Sequence, residues 1–204
     1  TNLTAHIMFE NLVVKASETI AEIQPTMYGI FFEDINFAAD GGIYAEMIKN
    51  RSFEFYKPLM GWSEVRKSEA DGHLLIQNRE DLQSANPRYA SITVNDTGNP
   101  FGLANEGFRG MGIKQGLRYD FSVLARTQNG ESIHATIQLL NAEGVSIGQG
   151  EINVSSNRWD KYSASLIATQ TVSKGSFRIL FKGSGTIDID MVSLFPQDTW
   201  KNRP

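Results

Sequence analysis

Cysteine is absent from the 204 residues, which excludes disulfides and thiolate metal sites. The chain also lacks a run of about eighteen apolar residues and a signal-peptide pattern at its start, so we expect a soluble protein from which any export signal has been removed. The net charge is −4, with acidic and basic residues interspersed. This charge pattern offers neither a basic stripe for nucleic acid nor a polybasic segment for a membrane surface.

Alternating apolar and polar residues dominate the second half of the chain. The stretches YDFSVLAR, IHATIQLL and TIDIDMVSLF each place apolar residues on one face, and in the last of them Ile187, Ile189 and Met191 oppose Asp188 and Asp190. This period of two is typical of strands with one buried face. Turn pairs such as Asn-Gly separate the strands. The pattern predicts a mainly β fold, an antiparallel jelly-roll β-sandwich.

A different pattern precedes the sandwich. Residues 28–32 (YGIFF) are apolar on both faces, as in strands of a buried parallel sheet. Glu33 follows at the C-terminal end of that strand, where α/β folds carry their ligand sites. Ile43, Met47 and Ile48 then recur at helical spacing. Strand, polar corner and helix together predict half of a β/α unit.

The run FFEDIN followed by GGIYAEMIKNRSFE resembles the start of the catalytic domain in family 51 glycoside hydrolases, the α-L-arabinofuranosidases. The resemblance is to the branch with an inserted carbohydrate-binding-like module of the CenC type. It implies an N-terminal strand and the first, orphaned β/α unit of a TIM barrel over 1–49, a sandwich module over 50–196, and a linker back to the missing barrel over 197–204. A composition shift near residues 51–57 favours the same boundary.

The resemblance also implies a function for the intact parent protein, the removal of terminal arabinofuranosyl groups from plant polysaccharides or oligosaccharides with retention. Both catalytic glutamates of the family lie beyond the matched stretch, so the present chain is predicted to be inactive. Glu33 matches a residue that hydrogen-bonds arabinose in the family; the alternative is that Glu33 is an N-cap or a salt-bridged strand end. The alternative from another class is a free-standing carbohydrate-binding or purely structural module.

Residues 50–195 resemble carbohydrate-binding modules through NRSFE, NEGFRGMGIKQGLRYDFSVLAR, SNRWDKYSASL and TIDIDMVSLFP, in this order. This resemblance implies that the module is a galactose-binding-like sandwich. Glu54 and Asp190 match the calcium ligands of that family, and pairing of the first and last strands would bring the two carboxylates together. A structural calcium ion is therefore the expected cofactor. The alternative is that Asp188 and Asp190 form a solvated face while Glu54 caps a turn.

Sugar binding requires flat apolar faces together with directional polar groups. Phe108 supplies a ring, and His134, Gln138 and Arg178 lie on the polar face of alternating strands. These four residues form a possible sugar platform, although such residues are usually only the wet side of a sandwich. Trp159 is predicted to be an ordinary packing residue.

The isolated strand predicts association. Without the neighbouring strands and helices of a barrel, the apolar side chains of residues 30–32 would be exposed to water. We therefore expect residues 1–48 to fold onto a sandwich edge or to pair as a two-fold dimer. The other expected partners are an arabinose-containing saccharide and the rest of the barrel. The expected location is extracellular or periplasmic, in a bacterium.

Overall fold

The structure is a computed structural model that describes residues 39–80 and 84–199, with single positions between 15 and 29. It contains two compact units, Thr1–Glu33 and Asp34–Pro204. Few residues of the first unit are described, and the predicted strand over 28–32, apart from Gly29, lies outside them. Among the described residues, no helix is long and apolar enough to cross a membrane.

The described residues of the second unit form strands joined by turns, with one short 3-10 helix at Glu69–Asp71. The strands are β1 (Trp62–Val65), β2 (Gly72–Asn78), β3 (Arg88–Val94), β4 (Phe101–Asn105), β5 (Met111–Ile113), β6 (Arg118–Thr127), β7 (Ile133–Leu140), β8 (Ser146–Val154), β9 (Asp160–Ile167), β10 (Val172–Lys182) and β11 (Gly185–Pro196).

Two antiparallel sheets form the sandwich. The six-stranded sheet has the order β1-β4-β10-β7-β8, with β5 also pairing to β10, and the five-stranded sheet has the order β2-β3-β11-β6-β9. Neighbouring strands in both sheets are mostly distant in sequence, as in a jelly roll rather than a meander. The predicted fold class, an antiparallel jelly-roll sandwich, is confirmed.

The core lies between the sheets and is drawn from the apolar faces that the alternation predicted. On β6, Tyr119, Phe121, Val123 and Ala125 are at most 2% exposed, and the residues between them are more open to solvent. Because side chains alternate across a strand, one apolar face per strand is enough to fill the space between two sheets. The outer faces remain polar and carry the candidate sites.

The alternation breaks once, on β11. Its register against β6 shifts between Asp190 and Ser193, and Met191 has a φ of 51°. A β-bulge inserts one residue and moves the following side chains to the other face. Val192 and Leu194 therefore point into the core, and the prediction that Met191 shares the apolar face of Ile187 and Ile189 is wrong.

Residues 39–61, the described stretch that leads into β1, form no helix. In the segment 39–48, Tyr44 N–H donates to the Ala39 carbonyl and Gly41 N–H to the Tyr44 carbonyl, both at 2.8 Å, which closes a tight turn. Gly41 has a φ of 77°, a backbone conformation that few residues other than glycine adopt. The helix predicted from Ile43, Met47 and Ile48 is wrong because this turn places Ile43 in solvent, at 76% exposure, and leads Ile48 into the sandwich.

After the turn, this segment runs along β11 and is fastened to it. Met47 N–H donates to the Leu194 carbonyl at 3.1 Å. Ile48 and Phe53 are fully buried in the sandwich core, and burying a side chain of this size stabilises the fold by roughly 1.5 to 3 kcal/mol. The core of the module therefore begins before residue 50, the start that composition and resemblance had indicated.

Asn50 organises the loop between this segment and β1. Its side-chain amide donates to the Pro58 carbonyl at 2.7 Å, and its amide oxygen accepts from Phe55 N–H at 3.1 Å. Its backbone carbonyl accepts from the indole of Trp62 at 2.9 Å. Its φ of 56° is one that asparagine tolerates better than most residues. Trp62 is thus a buried packing residue.

Candidate functional site

Three of the four predicted platform residues lie together on the outer face of the six-stranded sheet. Gln138 on β7 is in register with Arg178 on β10 and with Gln149 on β8. His134 lies on the same face of β7, four residues earlier. The structure therefore brings His134, Gln138 and Arg178 onto one surface, as the alternation required.

The polar side chains of this surface bond to one another. The Arg178 guanidinium donates to Gln138 Oε1 through Nε at 2.9 Å and through Nη2 at 2.7 Å. Gln138 Nε2 donates onward to Gln149 Oε1 at 3.4 Å, and His134 Nδ1 lies 2.9 Å from Asn153 Oδ1. A sugar could bind here only if these hydrogen bonds were broken. Their loss would offset much of the free energy that new hydrogen bonds to the sugar contribute.

The same surface has no ring on which a sugar could stack. The strands of the six-stranded sheet contain four Phe, Tyr or Trp residues, and all of these point into the core. They are Trp62, Phe101, Phe177 and Phe181. Because sugar rings bind through their C–H faces to exposed aromatics, this face lacks half of the chemistry that the predicted platform needs.

Phe108, the fourth predicted platform residue, lies elsewhere. It sits in the loop between β4 and β5, and its ring packs so closely on Gly41 that a side chain at position 41 would overlap it. Together with Met47 it lines a depression of about 240 Å³ beside the N-terminal segment. The structure therefore does not place Phe108 on the strand face of the other three residues.

Asp188 and Asp190 lie on the outer face of β11, yet neither is solvated. They are at most 1% exposed because arginines cover them: Arg126 Nε donates to Asp188 Oδ2 at 2.9 Å, and Arg79 Nη2 donates to Asp190 Oδ2 at 2.5 Å. The solvated-face alternative for these two residues is wrong. Two buried carboxylates here are each matched by one guanidinium, as buried charges require.

Trp159 completes the cover over these carboxylates. The guanidinium carbons of Arg79 and Arg126 lie 4.7 Å and 5.0 Å from the centre of its ring, and Tyr89 meets it edge-on at 5.5 Å. Such cation–π contacts hold the arginines in place. Trp159 packs as predicted, although on the outer face of the five-stranded sheet rather than in the core.

Glu54 and Asp190, the two predicted calcium ligands, lie close enough for the charge of Glu54 to affect the pKa of Asp190. Burial raises the pKa of Asp190 from its ordinary 3.8 to about 6, and the Glu54 carboxylate adds to the rise while Arg79 and the Met191 N–H oppose it. Glu54 Oε1 itself accepts from Arg88 N–H at 2.6 Å.

The donor set around these carboxylates fits calcium only in part. Residues 39–80 and 84–199 contain no cluster of three or more histidine, aspartate or glutamate side chains, so backbone carbonyls would have to complete the six to eight oxygen ligands that calcium takes. Arg79 would also have to leave Asp190. The calcium site stays a prediction. Glu33, the predicted arabinose ligand, lies outside the described residues.

A groove that the sequence did not reveal runs along the outer face of β6, β9 and the end of β11. It consists of two adjoining depressions of about 440 Å³ and 430 Å³, which share their central lining residues. The shared residues are Ser122, Lys161, Ser193 and Phe195. We refer to this feature as the serine groove. Its serines read in the sequence as the ordinary polar half of alternating strands, so no local signal distinguishes them.

The N-terminal segment forms one wall of the serine groove. Tyr44 packs edge-on against Phe195 with ring centres 4.8 Å apart, and the buried Glu46 fixes the segment on β11. Glu46 accepts from the Ser193 hydroxyl at 2.7 Å and from Leu194 N–H at 2.9 Å. Burial raises the pKa of Glu46, whereas these bonds, one from Ile48 N–H and the charge of Arg51 lower it.

The chain belongs to a family of carbohydrate binding domains, since the model of that family matches residues 45–185. This confirms the class of module expected from the sequence. Among curated relatives, an extracellular exo-α-L-arabinofuranosidase of Streptomyces chartreusis is 38% identical over 191 residues, covering 90% of this chain and 21% of the relative. An α-L-arabinofuranosidase of Arabidopsis thaliana is 29% identical, covering 88% of this chain and 28% of its own length.

A solved structure gives the same result. An arabinose-bound α-L-arabinofuranosidase of glycoside hydrolase family 51 superposes with a TM-score of 0.74 at 27% identity, covering 87% of this chain and 30% of that one. The chain is thus similar to one part of these enzymes and spans less than a third of each. The first β/α unit of a barrel is not seen in the described residues.

Proposed function

We propose that this chain is the non-catalytic, carbohydrate-binding part of an α-L-arabinofuranosidase that removes terminal arabinofuranosyl groups from arabinose-containing polysaccharides or oligosaccharides with retention. The observation that carries the proposal is the match of 90% of this chain to only 21% of the Streptomyces relative. The part of that relative outside the match is large enough to hold a catalytic barrel of about 250 residues.

The described carboxylates support a non-catalytic role. A retaining glycosidase needs two carboxyl groups about 5 to 5.5 Å apart that converge on one sugar. The serine groove has a single carboxylate along its lining, that of Asp120. Its Oδ1 accepts from the Ser165 hydroxyl at 2.7 Å and lies 3.0 Å from Arg118 Nε, and its Oδ2 accepts from Arg118 Nη2 at 3.1 Å. None of the depressions described above is lined by two carboxylates.

Location and partners follow from the same proposal. The Streptomyces relative is called extracellular, and a chain without cysteine folds equally well outside the cell. We therefore assign the protein to the exterior or the periplasm of a bacterium, with a plant polysaccharide as ligand and the catalytic barrel as the covalently attached partner.

An activity assay tests the non-catalytic role directly. The purified chain, incubated with p-nitrophenyl α-L-arabinofuranoside, should release p-nitrophenol no faster than buffer, while an intact family 51 enzyme at the same concentration releases it readily. Release above the buffer rate that scales with the concentration of the chain would overturn the proposal, because covalent glycosyl transfer needs a nucleophile and an acid.

A structural brace for the barrel is the second candidate function. It is favoured by the outer face of the six-stranded sheet, where Arg178, Gln138 and Gln149 bond to each other and no aromatic ring is exposed. A brace would stabilise the attached barrel without any affinity for sugar. Native electrophoresis of the isolated chain in gels that contain soluble arabinoxylan separates the two functions. A binding module migrates more slowly when the polysaccharide is present, whereas a brace without affinity for sugar migrates as before.

A further inference from the structure

We propose that the module holds a neutral glycan chain in the serine groove on the five-stranded sheet, rather than on the predicted platform of the opposite sheet. The inference rests on the proposed carbohydrate-binding function and gives that function a site. It is argued from the hydrogen-bonding capacity, the aromatic wall and the charge of the groove.

The floor of the groove is a row of hydroxyls across three strands. Ser122 on β6 is in register with Ser193 on β11 and with Ser163 on β9, and neighbouring strands lie about 4.8 Å apart. The Ser193 hydroxyl is committed to Glu46. Among the described residues, the hydroxyls of Ser122 and Ser163 have no hydrogen-bond partner, so both are available to a ligand.

An aromatic wall stands beside this row. Phe195 lines both depressions of the groove and is only partly buried, and the edge-on contact with Tyr44 fixes the orientation of its ring. Hydroxyl-bearing strands next to a fixed ring supply the two chemistries that a sugar needs, a partner for its C–H face and donors or acceptors for its hydroxyls.

The charges of the groove favour a neutral ligand. The Asp120 carboxylate forms an ion pair with the Arg118 guanidinium. The guanidinium of Arg51 lies 3.8 Å from a carboxylate oxygen of Asp40 and 3.8 Å from one of the buried Glu46. Lys161 is exposed and is the lining cation that has no partner among the described residues. One ammonium group can donate to sugar hydroxyls, whereas an anionic polymer would call for several such groups along the groove.

The opposite face supplies the contrast. On the outer face of the six-stranded sheet, the side chains of Arg178, Gln138 and Gln149 hydrogen-bond to one another. All the aromatic residues of these strands lie in the core. Of the two outer faces, only the serine groove combines free hydroxyls with a partly exposed ring.

The test is isothermal titration of the whole chain with soluble arabinoxylan oligosaccharides, with maltohexaose as the unrelated neutral glycan. The groove variants are Ser163→Ala and Lys161→Ala, both at exposed positions where the fold is unaffected, and Phe195→Ala. The matched control is Gln138→Ala on the opposite face. Loss of one hydrogen bond of about 1 kcal/mol corresponds to about fivefold weaker binding.

The expected result is binding of the arabinoxylan oligosaccharides that weakens about fivefold or more in each groove variant and stays unchanged in Gln138→Ala. Binding that weakens only in Gln138→Ala overturns the groove and leaves the carbohydrate-binding function standing. An absence of binding in the unmodified chain overturns both. Groove variants that instead convert a dimer into a monomer in sedimentation would show that a second copy occupies the groove, which also overturns the inference.

Discussion

Replacing Glu46 with alanine should unfasten the N-terminal segment from the sandwich. The Glu46 carboxylate accepts from two backbone N–H groups, of Ile48 and Leu194, and from the Ser193 hydroxyl, all within 2.9 Å. The alanine variant leaves these three buried donors without an acceptor, at about 1 kcal/mol or more each, and also opens space beside β11. Relief of the cost of burying a charge offsets part of this loss.

The net loss should be about 2 to 4 kcal/mol in the free energy of unfolding, or about 5 to 15 °C in melting temperature for a domain of this size. Glu46→Gln keeps one acceptor oxygen for the two N–H groups, so its loss should stay below about 1.5 kcal/mol. Glu106→Ala removes a carboxylate that is 70% exposed and paired with Lys49, and it should change stability by less than about 0.5 kcal/mol.

Urea unfolding followed by circular dichroism measures all three variants under one condition. If Glu46→Ala lost no more stability than Glu106→Ala, the segment 39–48 would not be part of the folded module, and the wall of the serine groove would be only loosely held.

Three further predictions follow. If Glu54 and Asp190 bind calcium, millimolar calcium should raise the melting temperature relative to chelator, and Asp190→Ala should abolish that shift; an unchanged melting temperature would exclude a stabilising calcium ion. Because burial raises the pKa of Asp190 from 3.8 to about 6, the folded module holds a proton that the unfolded chain has already lost. In chelator its free energy of unfolding should therefore fall, by up to about 3 kcal/mol, as pH rises from 4 to 7. Asp190→Asn should lack this decline, and an opposite slope would show that Arg79 outweighs burial. Finally, residues 46–48 pack on β11 of the same chain, so the expected two-fold pairing can involve only residues before 39; if it forms, sedimentation of the whole chain should show a dimer, and a strictly monomeric chain would contradict that pairing.

The sandwich was predictable because alternation is a local signal. On β6 and β7 every second residue is apolar, and such strands can bury their apolar faces only against another sheet. The outward direction of His134, Gln138 and Arg178 followed from the same rule.

Features decided by tertiary contacts were not predictable in this way. The apolar spacing of Ile43, Met47 and Ile48 suits a helix, but a turn at Gly41 and the carboxylate of Glu46 fasten the segment to β11 as an extended chain. The bulge at Met191 depends on how β11 passes between β3 and β6. The burial of Asp188 depends on Arg126, which lies 62 residues away in sequence.

The serine groove was missed for a related reason. Ser122, Ser163 and Ser193 are each unremarkable in their own strands, and only the strand order β11-β6-β9 places them side by side. The sequence predicted which residues face outward, whereas the sheet order determined which of them become neighbours.

Native electrophoresis of the chain in gels with and without soluble arabinoxylan tests the central claim most directly, with serum albumin as the reference for unretarded migration. A carbohydrate-binding module should be retarded relative to albumin in proportion to the arabinoxylan concentration. Identical relative mobility at every concentration would contradict the account and leave the bracing role in its place.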